Sequence, residues 1–392
     1  LDEVAGVDGD VVIWNSGLRI MRYLSCYGKA IARLPYLSHR QTLPMPKLRW
    51  TNCGHGPAVQ KAEQENRQMA YAMAARAAGG PEVIHKIDID MPAPAAGEVV
   101  IRHVAIGINF IDIYIRTGAY PWPVERDLIL GSEAAGVIEA VGEGVTALAV
   151  GDRVAYTIPN GAYATHRAIK ADLVVRLPDA ISFEVGAAIM LKGLTVAYLL
   201  RDSYAVKSGD MVLFHAAAGG VGLLAGQWLK SLGAKVIGTA GGAQKCALAA
   251  ANGYDHVIDY NSADVAAEVM RLTGDAGVHC AYDSVGQDTM ATSLAVTRRH
   301  GTIVNFGQAS GPYTDFKIGD LAVGSLHLTR PSLFHFVADG VWLQKACADL
   351  FALVMDGTLN VSINQTFALE DVAVAHTALA ARQTTGCTVL TP

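Results

Sequence analysis

The chain of 392 residues is poor in the features of a metal ribbon, a disulfide-stapled domain or a nucleic-acid binder. Its cysteines, Cys26, Cys53, Cys246, Cys280, Cys347 and Cys387, are scattered, with no pair at C-x-x-C spacing. That argues against a zinc ribbon and a dense disulfide framework, and a reducing, cytoplasmic setting is the simplest expectation. Charged residues are only 17% of the chain and the formal net charge is −5. Nothing in that total points to nucleic acid or an anionic membrane as a partner. The charge-free run that starts at Met211 contains His215, Gln227 and several glycines. It divides into a short β-rich piece and a small-residue turn, so no membrane span is expected.

Acidic residues are missing altogether between Val11 and Ala62, a stretch with eight Lys or Arg. Residues 1–68 carry +3 and the remainder −8. Their periodicity is poor, and the chain begins at Leu1. Two readings stand: an organelle transit peptide, or an upstream start to a protein that begins at Met69. The second is preferred, and a disordered leader is expected. An organelle would replace the cytoplasm if the leader were a real transit peptide.

From Met69 the first half is β-rich. GEVVIRHVAIGIN (Gly97–Asn109) alternates apolar and polar residues, and Ala134–Tyr156 and Gly161–Pro178 continue with glycine-broken strands. Such spacing suggests a small barrel or sandwich. After a helical stretch at Ser182–Asp202, strands and helices alternate: MVLFHA, VGLLAGQWLKSLG, KVIGTAG, AQKCALAAANG, HVIDY, ADVAAEVMRLTG, VHCAYDSVG, a helix over TMATSLAVTRRHG, and TIVNFG. This rhythm predicts a parallel sheet covered by helices. The last fifty residues hold two helices and a final strand, CTVLTP, that returns to close the barrel.

The junction of MVLFHA with the next helix carries Ala217-Ala218-Gly219-Gly220-Val221-Gly222. It approximates the dinucleotide frame G-x-G-x-x-G, with alanine for the first glycine. Phosphate must approach backbone N–H groups at a helix start, where a Cβ would stand in the way. The second strand leads into VIGTAGGAQK (Val236–Lys245) and ends without a carboxylate. Lys245 follows, and Tyr260 ends the third strand. A carboxylate there would bind a ribose 2′-hydroxyl, so its absence beside a lysine favours NADPH.

These segments, with GGPEV (Gly79–Val83), AIGINFIDIYIRTGAYP (Ala105–Pro121), GSEAAGVIEAVG (Gly131–Gly142), LKGLTVAYLL (Leu191–Leu200), FHAAAGGVGLLAGQW (Phe214–Trp228), YDSVG (Tyr282–Gly286) and LTRPSL (Leu328–Leu333), carry a resemblance. From Met69 to Pro392 the chain resembles the zinc-free, zeta-crystallin-like quinone oxidoreductases of the medium-chain dehydrogenase/reductase superfamily, especially the bacterial NADPH:quinone reductases. The resemblance implies an α/β protein: a GroES-like, β-rich catalytic domain (69–193 and 330–392) and a Rossmann doubly wound parallel-sheet domain (194–329) with a cleft between them. It implies a homodimer. It also implies that Asn109, Tyr114 and Thr195 meet the nicotinamide end of NADPH and that Gly219, Gly220 and Val221 take the pyrophosphate. Gly241, Lys245, Tyr260 and Arg382 would surround the 2′-phosphate, and Ser284, Val285 and Phe306 would line the adenosine and nicotinamide walls. Tyr120 and Arg330 would stand at the substrate mouth. Gly242 departs from the hydroxyl residue common in the bacterial relatives.

Zinc-dependent relatives carry Cys where this chain has Asn109, and G-H-E where it has Gly131-Ser132-Glu133. Asn and Ser do not replace Cys and His in a tight zinc site, so no metal is expected. Without a Lewis acid to polarise an alcohol, the substrate must itself accept hydride or electrons well, as quinones and conjugated enones do. Tyr114, Tyr120 and Asp112 are candidate proton donors, each with a structural or cofactor-facing reading beside it. The rival activities are reduction of an α,β-unsaturated carbonyl and a crystallin-like NADPH- or RNA-binding role. The −8 of the body weighs against RNA.

Overall fold

The computed structural model describes residues 70–125 and 127–392 and, before them, the backbone of three strands, β1 (Glu3–Val7), β2 (Asp10–Asn15) and β3 (Ile20–Leu24). These pair antiparallel in the order β1-β2-β3, within a unit (Leu1–Asn66) distinct from the rest (Arg67–Pro392). The DVVIWN run of β2 is rich in β-branched and aromatic residues, which suit a strand. Most of the segment read as a leader, Met69 included, lies outside the described residues.

The β-rich part of the second unit starts with β4 (Ala70–Ala75), which pairs with β5 (Ile84–Ile89) and β7 (Leu128–Ile129). Its larger sheet is built from β6 (Glu98–Gly107), β8 (Glu133–Val141), β9 (Arg153–Thr157), β10 (His166–Lys170) and β11 (Val174–Arg176). Helix α1 (Phe110–Arg116) follows β6 directly. The chain returns at its end with β18 (Ile363–Ala368) and β19 (Cys387–Thr391). The sheet order is β11-β9-β8-β6-β19-β18, with β10 also on β6, so the last strand does close onto the first half. Alternation along these strands sends Val99, Ile101, Ile138, Val154 and Tyr156 into one core.

The second part has six strands, all parallel: β12 (Met211–Phe214), β13 (Lys235–Ala240), β14 (His256–Asp259), β15 (Val278–Asp283), β16 (Thr297–Asn305) and β17 (His327–Thr329). Their order is β14-β13-β12-β15-β16-β17, which reverses direction beside β12. Ligands of such sheets sit at the carboxyl ends of the strands near that switch point. Helices α3 (Gly220–Ser231), α4 (Ala243–Ala250), α5 (Val265–Thr273) and α6 (Met290–Val296) make the crossovers. One sequence expectation is corrected: the helix read over TMATSLAVTRRHG ends at Val296. Thr297 hydrogen-bonds Ser293 O through its hydroxyl, and β16 begins there, pairing Thr297 with Val278. The β-branched pair Val296-Thr297 suits a strand better than a helix.

Helix α2 (Phe183–Tyr198) joins the two parts, so a domain boundary at 193/194 falls inside it. Ser182 caps its start by accepting from Val185 N–H. With the π-helical turn at Leu199–Ser203 it is, among the described residues, the one helix long and apolar enough to cross a membrane, yet 78% of its apolar window is buried in the fold. Helices α7 (Leu333–Val337) and α8 (Gly340–Met355) pack on it, α7 with Leu333 and Val337 and α8 with Leu343, Cys347 and Leu350. They thereby share a core with Val212, Phe214 and Trp228 of the parallel-sheet part. Helix α9 (Val372–Ala380) lies between β18 and β19.

Candidate active site

A cleft of about 820 Å³ opens between the barrel and the carboxyl ends of the parallel strands. Of the residues singled out from the sequence, Asn109, Tyr114, Tyr120, Thr195, Gly219, Gly220, Val221, Gly241, Lys245, Tyr260, Ser284, Val285, Phe306 and Arg382 all line it. Arg330 does not. Its guanidinium donates to the carbonyls of Asn305 and Gly307 and to the side chains of Asn305 and Gln308. It straps the turn after β16 and reaches the cleft wall only through a long contact with the Tyr120 hydroxyl, 3.4 Å.

The floor of the cleft is the β12–α3 turn. Gly219 is the N-cap of α3 in extended conformation, with no side-chain cap, so the first N–H groups of the helix have no side-chain acceptor there. A Cβ at Gly219 would meet only Ala216 O, at 3.2 Å, and otherwise project into open space. A Cβ at Gly222 would strike Ala216 O at 2.5 Å and Ala217 O at 2.6 Å. Thus Gly222 serves helix–strand packing, whereas Gly219 keeps a backbone surface clear. The positive end of α3 and its N–H groups suit a diphosphate. The C-terminal segment reinforces the turn, since Gly386 bridges Gly219 and donates to Ala218 O.

At the end of β13 there is no carboxylate. Gly241 lies under the Tyr260 ring, and a Cβ there would be 2.5 Å from the tyrosine oxygen. Lys245 Nζ donates to Arg382 O at 2.6 Å, so the lysine of one domain and the arginine of the other stand side by side. Arg382 also lies 3.6 Å from Asp288, in an exposed ion pair that a stronger anion can displace. Gly242 has φ of +85° with open space at its Cβ position, a backbone that a hydroxyl residue would adopt only under strain. Two cations and a phenol around open backbone fit a phosphate monoester. Ser284 and Val285 are placed by Asp283, which accepts from the N–H groups of Val285 and Gly286 at 2.9 and 3.0 Å.

The other end is aromatic. The Tyr114 and Tyr120 rings lie 5.4 Å apart, tilted, and Phe306 packs on Phe214. Burial raises the Tyr114 hydroxyl to about 12, and it accepts from Gln308 N–H. A phenol so hard to ionise holds its proton, and its place here is as a wall and a hydrogen-bonding group. Phe110, Ile111, Pro121, Pro123, Leu333 and Phe334 complete an apolar mouth.

Beneath this mouth is a buried polar cluster that sequence reasoning did not assemble. Asn109 is the N-cap of α1, and its N–H donates to Asp112 at 2.8 Å. Asp112 also accepts from Ser132 Oγ at 2.6 Å and from the Tyr163 hydroxyl at 2.9 Å. Burial lifts its carboxyl to about 6. Asp112 does not line the cleft, so its structural reading is the one the geometry supports. The Asn109 amide donates to Glu133 Oε1 at 2.8 Å, and Lys192 Nζ donates to the same oxygen at 2.7 Å. Leu191 N–H takes the other carboxylate oxygen at 2.6 Å. Burial would lower the Lys192 ammonium, but Glu133, Cys387 and Asp112 together offset it and hold the group above its ordinary value. Lys192 lines the cleft, with its stem against Gly220. The signal for it was a lone lysine within the apolar run of α2.

The chain matches the family described as alcohol dehydrogenase GroES-like domain over residues 95–179 and that described as zinc-binding dehydrogenase over 220–344. Despite the second name, Glu133 is engaged here by an amide, an ammonium and a peptide N–H, and among the described residues no three His, Cys, Asp or Glu converge as a metal site. A quinone oxidoreductase of Pseudomonas aeruginosa is 48% identical over 326 residues, 83% of this chain and 100% of that one. A 2-haloacrylate reductase of a Burkholderia species is 39% identical over 332 residues, 83% of this chain and 99% of the other. The structure of Escherichia coli quinone oxidoreductase complexed with NADPH superposes with a TM-score of 0.80 at 44% identity, covering 82% of this chain and 100% of that one. By these relations the chain belongs to the quinone oxidoreductase family of the medium-chain dehydrogenase/reductase superfamily.

Proposed function

We propose that the protein is an NADPH-dependent quinone reductase that needs no zinc. The observation that carries this reading is one cleft with three matched surfaces: an open glycine turn at a helix start, paired cations at the end of β13, and an apolar aromatic mouth. NADPH when bound supplies two electrons and a hydrogen to an acceptor. In this reading the N–H groups of Gly220 and Val221 hold the pyrophosphate, and Gly219, whose own N–H donates to Ala216 O, keeps the approach free of a Cβ. Lys245, Arg382 and Tyr260, beside Gly241, take the 2′-phosphate, and Ser284, Val285 and Phe306 wall the remainder. Asn109, Tyr114 and Thr195 orient the nicotinamide end. Tyr120 with its apolar neighbours stacks a flat acceptor and keeps water out, which strengthens electrostatic interactions within. Arg330 acts at one remove, as a positioning residue that braces Tyr120 and the turn after β16.

A second reading, reduction of an activated carbon–carbon double bond, is favoured by the 2-haloacrylate reductase relative. Steady-state NADPH oxidation by the full chain, with a para-quinone, an ortho-quinone and a simple enone in parallel and NADH as control, separates them. The expected result is faster turnover with a quinone than with the enone and a preference for NADPH. Enone turnover with quinones inert would overturn the first reading in favour of the second.

A further inference from the structure

Three cations line the cleft: Lys192, Lys245 and Arg382. Two of them belong to the exposed end beyond β13. The third, Lys192, is 6% exposed; its stem passes Gly220, at the start of α3, and its ammonium shares the Glu133 carboxylate with Asn109, assigned above to the nicotinamide end. Its one hydrogen bond among the described residues goes to Glu133, and an ammonium has three donors. Glu133 is held on both oxygens, so the ammonium is fixed rather than mobile. Gly220 fixes the stem, since a Cβ there would be 2.9 Å from Lys192 Cδ. Stability is a weak reason for such a pair, because a buried ion pair is often no better than well-packed apolar side chains.

We propose that Lys192 is a catalytic residue whose ammonium stabilises the negative charge that develops on the acceptor oxygen. The inference rests on the reductase reading above. The step balances as follows: NADPH is oxidised to NADP⁺, and a hydride, two electrons and one proton, passes to the quinone. The quinone becomes the hydroquinone monoanion, and a proton from solvent completes the hydroquinone. For an enone the same transfer gives an enolate. Lys192 and Asn109, joined through Glu133, form a preorganised donor surface in a water-poor site, where one such donor is worth roughly 100-fold in rate.

The test compares the unaltered full chain with the double variant Lys192→Met/Glu133→Gln, which removes the pair without stranding a charge. Urea stability, NADPH affinity from quenching of tryptophan fluorescence, and single-turnover rates with para-benzoquinone and with an enone are read together. The expected result is NADPH affinity within about twofold and a rate loss of roughly 100-fold with the enone. The loss should be smaller with the quinone, whose reduced oxygen is less basic. Equal losses with both acceptors, no loss, or weaker NADPH binding that accounts for the loss would overturn the role. Failure of the unaltered protein to turn over either acceptor would instead overturn the reductase reading itself. A measurement free of variants is inhibition by para-nitrophenol across pH. It should strengthen as the phenol ionises, and inhibition that is flat or absent would count against the ammonium.

Discussion

Behind the barrel side of the cleft lies a buried polar network. His103, Asp112, Glu133 and His376 are almost wholly inside, each tied to specific partners, and Lys192 brings that network to the cleft surface. On the parallel-sheet side the cleft is made of the open glycine turn, the partly exposed Lys245 and Tyr260, and one buried imidazole, His215, held by Thr239 and Ser293. The difference separates two tasks. A wall of buried, mutually fixed polar groups presents donors that need no rearrangement when charge moves. A wall of open N–H groups beside partly exposed cations suits a large anion that arrives from water and leaves again.

The largest effect that would sharpen this contrast is acid sensitivity on the barrel side. Burial lowers His103 and His376 from the ordinary 6.5 to about 3, so both are neutral when folded. A folded value below the unfolded one means stability that is present above 6.5 and lost as pH falls toward 3, at roughly 1.4 kcal/mol per pH unit for each group. Asp112 has the opposite sign. Raised from 3.8 to about 6, it favours folding at low pH and offsets one histidine between about 4 and 6. Urea titrations across pH should therefore steepen below pH 4, and His376→Asn should remove about one proton from the slope. An unchanged slope would mean that His376 is not buried neutral.

Next in size is Lys192→Met alone, which leaves the Glu133 carboxylate buried without its cation. A loss of about 3–5 kcal/mol in urea stability is expected, largely recovered by adding Glu133→Gln. Lys245→Met, across the cleft, should leave stability unchanged within error. Equal sensitivity of the two lysines would break the contrast.

The two glycines of the α3 turn divide smaller effects in the same way. Gly222→Ala forces a methyl onto two carbonyls and should cost about 1–3 kcal/mol of stability. Gly219→Ala should leave stability nearly unchanged and weaken NADPH by tenfold or more, about 1.4 kcal/mol, by isothermal calorimetry. Smallest, and confined to one ligand, Lys245→Ala and Arg382→Ala should each reduce the NADPH-over-NADH preference by roughly tenfold, more at low salt than at high.

Much of the parallel-sheet wall was legible in the sequence because its signals are local. The Ala217–Gly222 frame, the missing carboxylate after β13 and Lys245 all lie within the run from β12 to α4. The barrel wall was less legible because its meaning is tertiary. Glu133 on β8 and Lys192 on α2 meet across 59 residues, and Tyr163 meets His376 across 213. Arg330 shows the converse: a charged residue at a motif position near the mouth is spent on carbonyls of the turn after β16. The early end of α6 was missed because TRRHG is compatible with a helix until pairing with β15 decides otherwise.

The most direct test of the account is a pair of titrations of the full chain at low salt, NADPH against NADH, followed by tryptophan quenching. The cleft described here predicts NADPH the tighter by at least about tenfold, the worth of one charge-assisted hydrogen bond to the 2′-phosphate. Equal affinities would contradict it, because Lys245, Tyr260 and Arg382 would then face something other than a phosphate.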